Sequence, residues 1–345
     1  MIKKLFLTAT LTLILSLGLI ACGAPQGSGD GDGGGTGGGG QQENFKKDLQ
    51  LGTGSVGGVY FPLGQELANI LTDNISVDGF NVSSVESGAS VDNLAQIARG
   101  DMQLGIAQNN TAQQAVAGEG EFKGSPVKNA GFMGQLYPEA ISIITLKSSG
   151  IKSVEDLKGK RVAIGPPGGA TRGGADLVLN AAGIKEGDYK AFEEDFGTAQ
   201  TKLQDGNLDA SIEVVGVPSA SISELQATTG EVKLVPLSSE IQQKIADTSG
   251  YRPYEIPADS YDFLQGPLPS VSAFATMFGS TNQVSEDLGY KITKTIYEKS
   301  NSLTLAQKQF ISPDSALDGQ GDLPLHPGAQ RYFEEEGLLE GGSTN

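Results

Sequence analysis

The sequence has 345 residues, enough for one large domain or for two domains of ordinary size. It contains 24 Lys and Arg against 41 Asp and Glu, which gives a formal charge of -17. So acidic a chain is poorly suited to nucleic acid, because neutralising phosphates requires clustered Lys and Arg. The single Cys excludes an intramolecular disulfide, and the single His excludes most His-based metal sites and nucleophile–His pairs. We therefore expect neither a metal, nor a cofactor, nor nucleic acid as a partner.

Residues 1–21 have the features of an export signal. Two lysines precede the apolar run 5–20, which is short for a membrane span. The segment ends in Leu19-Ile20-Ala21-Cys22, the lipobox pattern of bacterial lipoproteins. This pattern predicts that the Cys22 thiol carries a diacylglycerol and anchors the protein to the outer face of the cytoplasmic membrane. An ordinary signal with a chance Cys is the alternative, and the Gly-rich segment 22–44 is expected to be a tether.

Strand and helix patterns alternate along the rest of the chain, which predicts an α/β fold with largely parallel sheets. Apolar residues repeat at helical spacing after Pro62, after Ser90 and from Thr171 onward. We predict strands at 49–51, 81–85, 102–107, 141–146, 161–164, 210–215, 232–235 and 271–277. We predict helices near 63–71, 91–98, 171–182, 290–298 and 331–336.

Two glycine loops occupy equivalent places in this pattern. Residues 52–58 lie between a predicted strand and a helix, and residues 165–169 do so again. In open α/β sheets, ligands bind at the carboxyl ends of strands, where helix N-termini present free N–H groups and partial positive charge. A third such helix start lies at 87–93. The sequence therefore predicts an anion site between two lobes of a strongly acidic protein.

The first loop, Gly52-Thr53-Gly54-Ser55-Val56-Gly57, also matches the dinucleotide fingerprint G-x-G-x-x-G. We do not favour a nicotinamide site, because Gly58 prolongs the loop, Pro62 delays the helix, and no acidic residue is well placed after a second strand. Neither glycine loop has the Gly-Lys-Ser/Thr of a P-loop. Acidic clusters such as Glu193-Glu194-Asp195 are typical of solvated faces. A pair of carboxylates across a cleft, as a glycosidase needs, stays open at this point.

Several motifs together resemble the TAXI family, the solute receptors of one class of TRAP transporters. In chain order they are Gly52-Thr53-Gly54-Ser55-Val56-Gly57-Gly58-Val59-Tyr60-Phe61-Pro62-Leu63-Gly64, Ser87-Gly88-Ala89-Ser90-Val91-Asp92-Asn93-Leu94, Leu136-Tyr137-Pro138-Glu139, the run 156–165, Ile256-Pro257-Ala258 and His326-Pro327-Gly328-Ala329. The resemblance covers nearly all of residues 47–337. It implies a type II periplasmic-binding-protein fold, in which two α/β lobes are joined by two crossing strands, near 141–146 and 271–277, with a ligand cleft between them. Lobe I would comprise 45–140 plus 271–345, and lobe II would comprise 141–270.

The resemblance also implies a receptor and not an enzyme. Such a receptor captures a small carboxylate, namely glutamate, glutamine, 2-oxoglutarate or a C4 dicarboxylate, and delivers it to a TRAP-type membrane permease. The alternatives are an exported carboxylate-based hydrolase and a sensor subunit with the same fold. One departure concerns Gly168-Gly169-Ala170-Thr171, where the family often has Gly-Ser-Gly-Thr, so that one hydroxyl donor is absent.

The candidate ligand contacts lie in these loops, at helix starts or at strand ends. They are Thr53, Ser55, Gly57, Gly58, Tyr60, Ser87, Ser90, Asn93, Gln108, Gly168, Gly169, Ala170, Thr171, Arg172 and Glu213. Each has an ordinary structural alternative: Tyr60 can pack at the helix start, Ser90 can cap a helix, and Arg172 can be a solvated surface residue. Glu213 can receive a ligand amine or lie at a hinge, and we interpret His326 as structural.

Overall fold

The computed structural model of the chain describes residues 45–339. The predicted export signal 1–21, the lipidated Cys22 and the Gly-rich segment 22–44 lie outside the described residues, so these remain predictions. Among residues 45–339, no helix is both long enough and apolar enough to cross a membrane.

Strands and helices alternate through this part of the chain. The strands are β1 (Asp48–Gly52), β2 (Asn81–Val85), β3 (Leu104–Gln108), β4 (Ala130–Leu146), β5 (Arg161–Ala163), β6 (Lys190–Phe192), β7 (Ala210–Gly216), β8 (Val232–Val235), β9 (Arg252–Ile256) and β10 (Leu268–Ser280). The helices are α1 (Tyr60–Asn74), α2 (Ser90–Arg99), α3 (Asn109–Ala117), α4 (Thr171–Ala181), α5 (Phe196–Gln204), α6 (Ala220–Thr229), α7 (Ser239–Thr248), α8 (Glu286–Glu298) and α9 (Pro327–Glu335).

The strands form one sheet whose two halves repeat the same order. The first half runs β2-β1-β3-β10-β4, and the second runs β6-β5-β7-β4, with β8 pairing to the end of β4. Strands β1 and β5 therefore hold the same position, so the fold relates the two strand–glycine loop–helix units seen in the sequence. The pairs that β1 and β5 form are parallel, whereas β4 and β10 run antiparallel to their neighbours. The sheet is mixed, and the prediction of largely parallel sheets was wrong, because two returning strands enter both halves.

Strands β4 and β10 connect the two halves. Residues 130–140 of β4 pair with β10 and residues 139–145 pair with β7, so β4 passes from one half to the other at Glu139. Strand β10 pairs with β3 over 275–279 and with β9 over 268–272. These two strands confirm the predicted type II periplasmic-binding-protein fold. The passage on β4 lies just before the segment we predicted for it.

Helices pack against the sheet and bury their apolar sides there. Helix α1 buries Leu63, Leu67 and Leu71, which belong to the same hydrophobic cluster as Leu49 and Leu51 of β1. A second cluster joins the buried faces of α4 and α7 to β5 and β7. Fully burying one such aliphatic side chain stabilises the fold by about 2 kcal/mol relative to leaving it exposed. This packing holds the helix starts in fixed positions at the carboxyl ends of the parallel strands.

Candidate functional site

Helix N-termini from both halves converge where the halves meet. In the first half α1 begins at Tyr60 and α2 at Ser90, and in the second half α4 begins at Thr171 and α5 at Phe196. The first residues of all of these helices line one cavity of about 80 Å³, which we call the inner cavity. A helix N-terminus carries partial positive charge and N–H groups without an intrahelical partner. The inner cavity therefore suits a small ligand with a negatively charged group.

Both apolar and polar side chains line the inner cavity. Phe196, Val214 and Val215 supply apolar surface. The polar side chains are those of Ser55, Tyr60, Ser87, Ser90, Gln108, Glu139 and Thr171. Among the described residues, Glu139 supplies the one carboxyl group of this lining, and no Lys, Arg or His takes part in it. Likewise, residues 45–339 contain no cluster of His, Cys, Asp or Glu arranged to hold a metal ion.

Glu139 is the one acidic residue among the described residues that line the inner cavity. Its surface is 4% exposed, and Tyr60 Oη donates a hydrogen bond of 2.8 Å to Glu139 Oε2. Burial raises the pKa of Glu139 to about 8, while hydrogen bonding to Tyr60 and Gln108 lowers it in part. Burial and the nearby Glu139 also raise the pKa of Tyr60 and of Tyr137 well above the usual value. At pH 7 the Glu139 carboxyl is therefore mostly protonated and can donate as well as accept.

A carbonyl group of the second half caps the start of α2. The N–H groups of Val91 and Asp92 donate to the carbonyl oxygen of Gly168, at 3.1 and 3.2 Å. The start of α2, which the sequence presents as an anion site, thus binds the loop of the opposite half. The N-termini of α1 and α4 stay the better candidates. Their first intrahelical donors are Leu63 and Gly174, so the N–H groups of Tyr60 and Thr171 have no intrahelical partner, and both of these residues line the inner cavity.

Two further contacts hold the halves together around the inner cavity. Tyr251 Oη donates to Gln108 Oε1 at 3.1 Å. The loop at Gly57 approaches the first turn of α5 so closely that a Cβ on Gly57 would lie 2.7 Å from Gly197 N. The cleft between the halves is therefore closed at this end by direct backbone contact.

A wider groove of about 1140 Å³ adjoins the inner cavity, and we call it the outer groove. Arg172 lies on its wall, where its guanidinium donates to Asp176 Oδ2 at 3.1 Å and to Glu193 Oε1 at 2.7 Å. The positive charge of Arg172 is thus paired within the protein. Four residues line both spaces and mark their junction: Gln108, Pro166, Gly169 and Ala170.

The sequence model of the NMT1-like family matches residues 51–337, from β1 to the residues after α9. The chain belongs to the NMT1-like family. The match includes both halves of the sheet and every residue of the inner cavity.

Solved structures that resemble this NMT1-like chain include binding proteins of low sequence identity. The alkanesulfonate-binding protein SsuA from Xanthomonas axonopodis pv. citri, bound to MOPS, is 16% identical, with 84% of each chain covered and a TM-score of 0.49. An ancestral arginine-binding protein bound to arginine is 17% identical, with 79% of this chain and 99% of that chain covered and a TM-score of 0.48. The periplasmic aliphatic sulphonate binding protein SsuA from Escherichia coli is 17% identical, with 84% and 83% covered and a TM-score of 0.43. None of the three fixes the ligand of this chain.

In this NMT1-like fold, most of the candidate residues from the sequence do come together. Those that line the inner cavity are Ser55, Gly58, Tyr60, Ser87, Ser90, Gln108, Gly169, Ala170 and Thr171. Gly168 and Arg172 line the outer groove instead, and Gly57 lies at the contact with Gly197. Direct contact of any of them with a ligand stays a prediction.

Thr53 and Asn93 lie behind the inner cavity and bind other parts of the protein. Thr53 Oγ1 donates to the carbonyl oxygen of Val85 at 2.7 Å. Asn93 Nδ2 donates to the carbonyl oxygens of Thr53 and Ile106, at 2.8 Å each, and Asn93 Oδ1 accepts from Ser87 Oγ at 2.6 Å. The Thr53 side chain thus links the end of β1 to the end of β2, and the Asn93 side chain links the start of α2 to β3 and to the end of β1. We do not include either residue in the proposed site.

Glu213 is likewise absent from the lining of the inner cavity. It is fully buried on β7, and its Oε1 accepts from Gln200 Nε2 at 2.8 Å and from Ser211 Oγ at 3.0 Å. Burial raises its pKa to about 8. Glu213 is therefore not part of the proposed site, and the carboxyl that faces the cavity is Glu139, which the sequence analysis did not select. The available signal was a glutamate directly after Pro138, inside a strongly apolar run.

Proposed function

We propose that this protein is an exported solute receptor whose two halves close over a small carboxylate. The observation that carries this proposal is the inner cavity, a space of about 80 Å³ that helix starts from both halves line together. Residues 45–140 plus 271–345 and residues 141–270 would move as two lobes about β4 and β10. The ligand biases such a hinge only if it binds the closed state more tightly than the open one.

The TAXI-like motifs support a TRAP-type permease as the partner that receives the ligand. The expected ligands are glutamate, glutamine, 2-oxoglutarate or a C4 dicarboxylate. The chain as a whole repels anions, but this repulsion is screened over a Debye length of ~8 Å at physiological salt. The N–H groups at the starts of α1 and α4 act in contact and in a drier cavity, where electrostatic interactions are stronger. Local attraction therefore outweighs the field of the whole protein.

A receptor is better supported than a hydrolase. Glycoside hydrolysis commonly uses two carboxyl groups on opposite sides of the scissile bond. Among the described lining residues of the inner cavity, Glu139 is the one carboxyl. The carboxyl of Glu213, on the neighbouring strand, is held by Gln200 and Ser211 within the second half.

Small carboxylates are expected to raise the melting temperature of the protein, whereas uncharged sugars are not. A ligand at 100 times its Kd stabilises the folded state by about 2.7 kcal/mol, which a thermal-shift assay detects. Ligand from the expression host is first removed by unfolding and refolding. If sugars or cations shift the melting temperature and no carboxylate does, the proposed function is wrong.

Replacing Cys22 with Ser is expected to abolish membrane attachment. Without the thiol no diacylglycerol can be added, so the variant should be released from membranes or remain unprocessed. Cell fractionation with detection of the processed and unprocessed forms tests this expectation. A variant that is processed and sediments with membranes like the wild type would contradict lipid anchoring at Cys22. That result would not bear on the proposed ligand site.

A further inference from the structure

We infer that Glu139 determines ligand specificity by pairing with a cationic group that the ligand itself brings into the inner cavity. The preferred ligands are then small zwitterions of the α-amino acid type, and 2-oxo acids and dicarboxylates are discriminated against. The inference rests on the proposed receptor function and names the ligand chemistry of the same site.

The first step of the argument is that no basic side chain of the described protein lies against the Glu139 carboxyl. The side chains that face Glu139 are Tyr60 on α1, Tyr137 on β4, Gln108 at the end of β3, and Tyr251 before β9. None of these described neighbours is basic, and the groove residue Arg172 is paired with two acidic residues elsewhere. At pH 7 a carboxyl buried in this way is mostly protonated, and a cation that lies against it favours the ionised form, because an unpaired buried charge is costly.

The second step is the distribution of charge across the inner cavity. The helix starts at Tyr60 and Thr171 present N–H groups and partial positive charge, which suit a carboxylate. Glu139 is the one described lining residue that offers a negative charge. A zwitterion satisfies both ends at once. A 2-oxo acid or a dicarboxylate satisfies the helix starts alone and requires Glu139 to keep its proton.

The third step gives a pH dependence of opposite sign for the two ligand types. An ammonium ligand requires the ionised form of Glu139, and the raised pKa of about 8 means that binding at pH 7 displaces a proton. About 0.9 proton is then released per ligand bound at pH 7, and affinity rises nearly tenfold per pH unit until the pH passes that pKa. A ligand that needs protonated Glu139 releases no proton and loses affinity above the same pH.

Isothermal titration calorimetry tests the inference with L-glutamate and 2-oxoglutarate as a matched pair, extended to other amino acids and their 2-oxo acids. Titrations at pH 7 in buffers of different ionisation enthalpy measure proton release. The variants are Glu139→Gln, which keeps the shape and removes the charge, and Glu213→Gln, the same change at a fully buried carboxyl outside the cavity. The melting temperature of each refolded variant shows whether that variant has folded. Proton release is measured on the wild type, so this part of the test does not depend on the folding of a variant.

The expected result is that an amino acid binds at least about tenfold more tightly than its 2-oxo acid and releases about 0.9 proton. Glu139→Gln should weaken amino-acid binding at least about tenfold and leave the 2-oxo acid equal or tighter, while Glu213→Gln leaves this order unchanged. The inference is overturned if the wild type binds the 2-oxo acid or the dicarboxylate as tightly as the amino acid, or more tightly. It is also overturned if amino-acid binding releases no proton. Either result leaves the proposed receptor function intact. If no carboxylate of either type binds, the proposed function itself fails, and the inference fails with it.

Discussion

Replacing Gly57 with Ala is expected to weaken ligand binding by at least about 100-fold, because the two halves can no longer close. The added Cβ would lie 2.7 Å from Gly197 N and 3.3 Å from Gly197 Cα, and both neighbours are backbone atoms. Relief therefore requires the halves to separate, which removes the donors of one half from the ligand. A 100-fold loss corresponds to about 2.7 kcal/mol against the closed state. Calorimetry measures the affinity, and small-angle scattering measures compaction on addition of ligand.

The matched control is Gly197→Ala on the other side of the same contact. There a Cβ would meet Asp195 Oδ1 at 3.4 Å, an ordinary contact distance, so closure should be retained. Wild type and Gly197→Ala are expected to become more compact with ligand, and Gly57→Ala is not. If the Gly57→Ala variant binds ligand and becomes compact as the wild type does, the halves close over the ligand without this backbone contact.

Replacing Gly328 with Ala is expected to lower the free energy of unfolding by about 3 kcal/mol. Gly328 lies in the first turn of α9 where it crosses α8, and its Cβ would overlap the backbone of Glu286 and Tyr290 and come within 2.6 Å of the carbonyl carbon of Gly289. The same turn is fixed by His326, whose Nδ1 accepts from Gly328 N at 3.2 Å. Burial lowers the pKa of His326 to about 4, so the imidazole is neutral at pH 7 and can accept this bond.

Urea denaturation of the ligand-free protein measures the free energy of unfolding of Gly328→Ala and of the wild type. Gly173→Ala is the control, because Gly173 is an exposed residue of α4 with no atom within 4 Å of an added Cβ. A helical Gly→Ala change at such a site stabilises by about 0.5 to 1 kcal/mol. If Gly328→Ala cost less than about 1 kcal/mol, α8 and α9 would have to separate easily, contrary to their close backbone packing.

Sequence patterns predicted the strands and helices whose apolar residues stand out from their neighbours and whose ends are marked by residues such as glycine. The strands β2 and β8 occupy the predicted residues, and α2 ends at Arg99, directly before Gly100, which adopts a left-handed φ of 81°. The helix α3 was not predicted, because Asn109–Ala117 has few large apolar residues and packs mainly through Ala. The start of β4 was not predicted because Gly131, Gly134 and Pro138 interrupt a run that is buried on both faces.

For the site, the sequence predicted the convergence of three helix starts but not the partners of individual side chains. The start of α5 was not predicted, because it follows an acidic cluster that we interpreted as a solvated face. In the structure Asp195 of this cluster accepts from Thr198 N at 2.9 Å and so caps the helix. Arg172 was expected to face a ligand, yet it pairs with Glu193, a residue brought near only by the fold. The position of Glu139 beside Tyr60 likewise depends on a strand that crosses between the halves. Such pairings join distant parts of the chain and leave no periodic signal.

The position of β10 between β3 and β4 also governs the order in which the chain can fold. During synthesis β1 to β4 emerge first, but β10 arrives only after the whole second half has followed. Until then β3 and β4 each have an unpaired edge, and such edges favour aggregation in incomplete chains. Contacts between such distant segments also carry a large loop-closure entropy, which slows folding. The amino-terminal half of the sheet is thus completed last, although it is made first, and its maturation depends on residues 268–280.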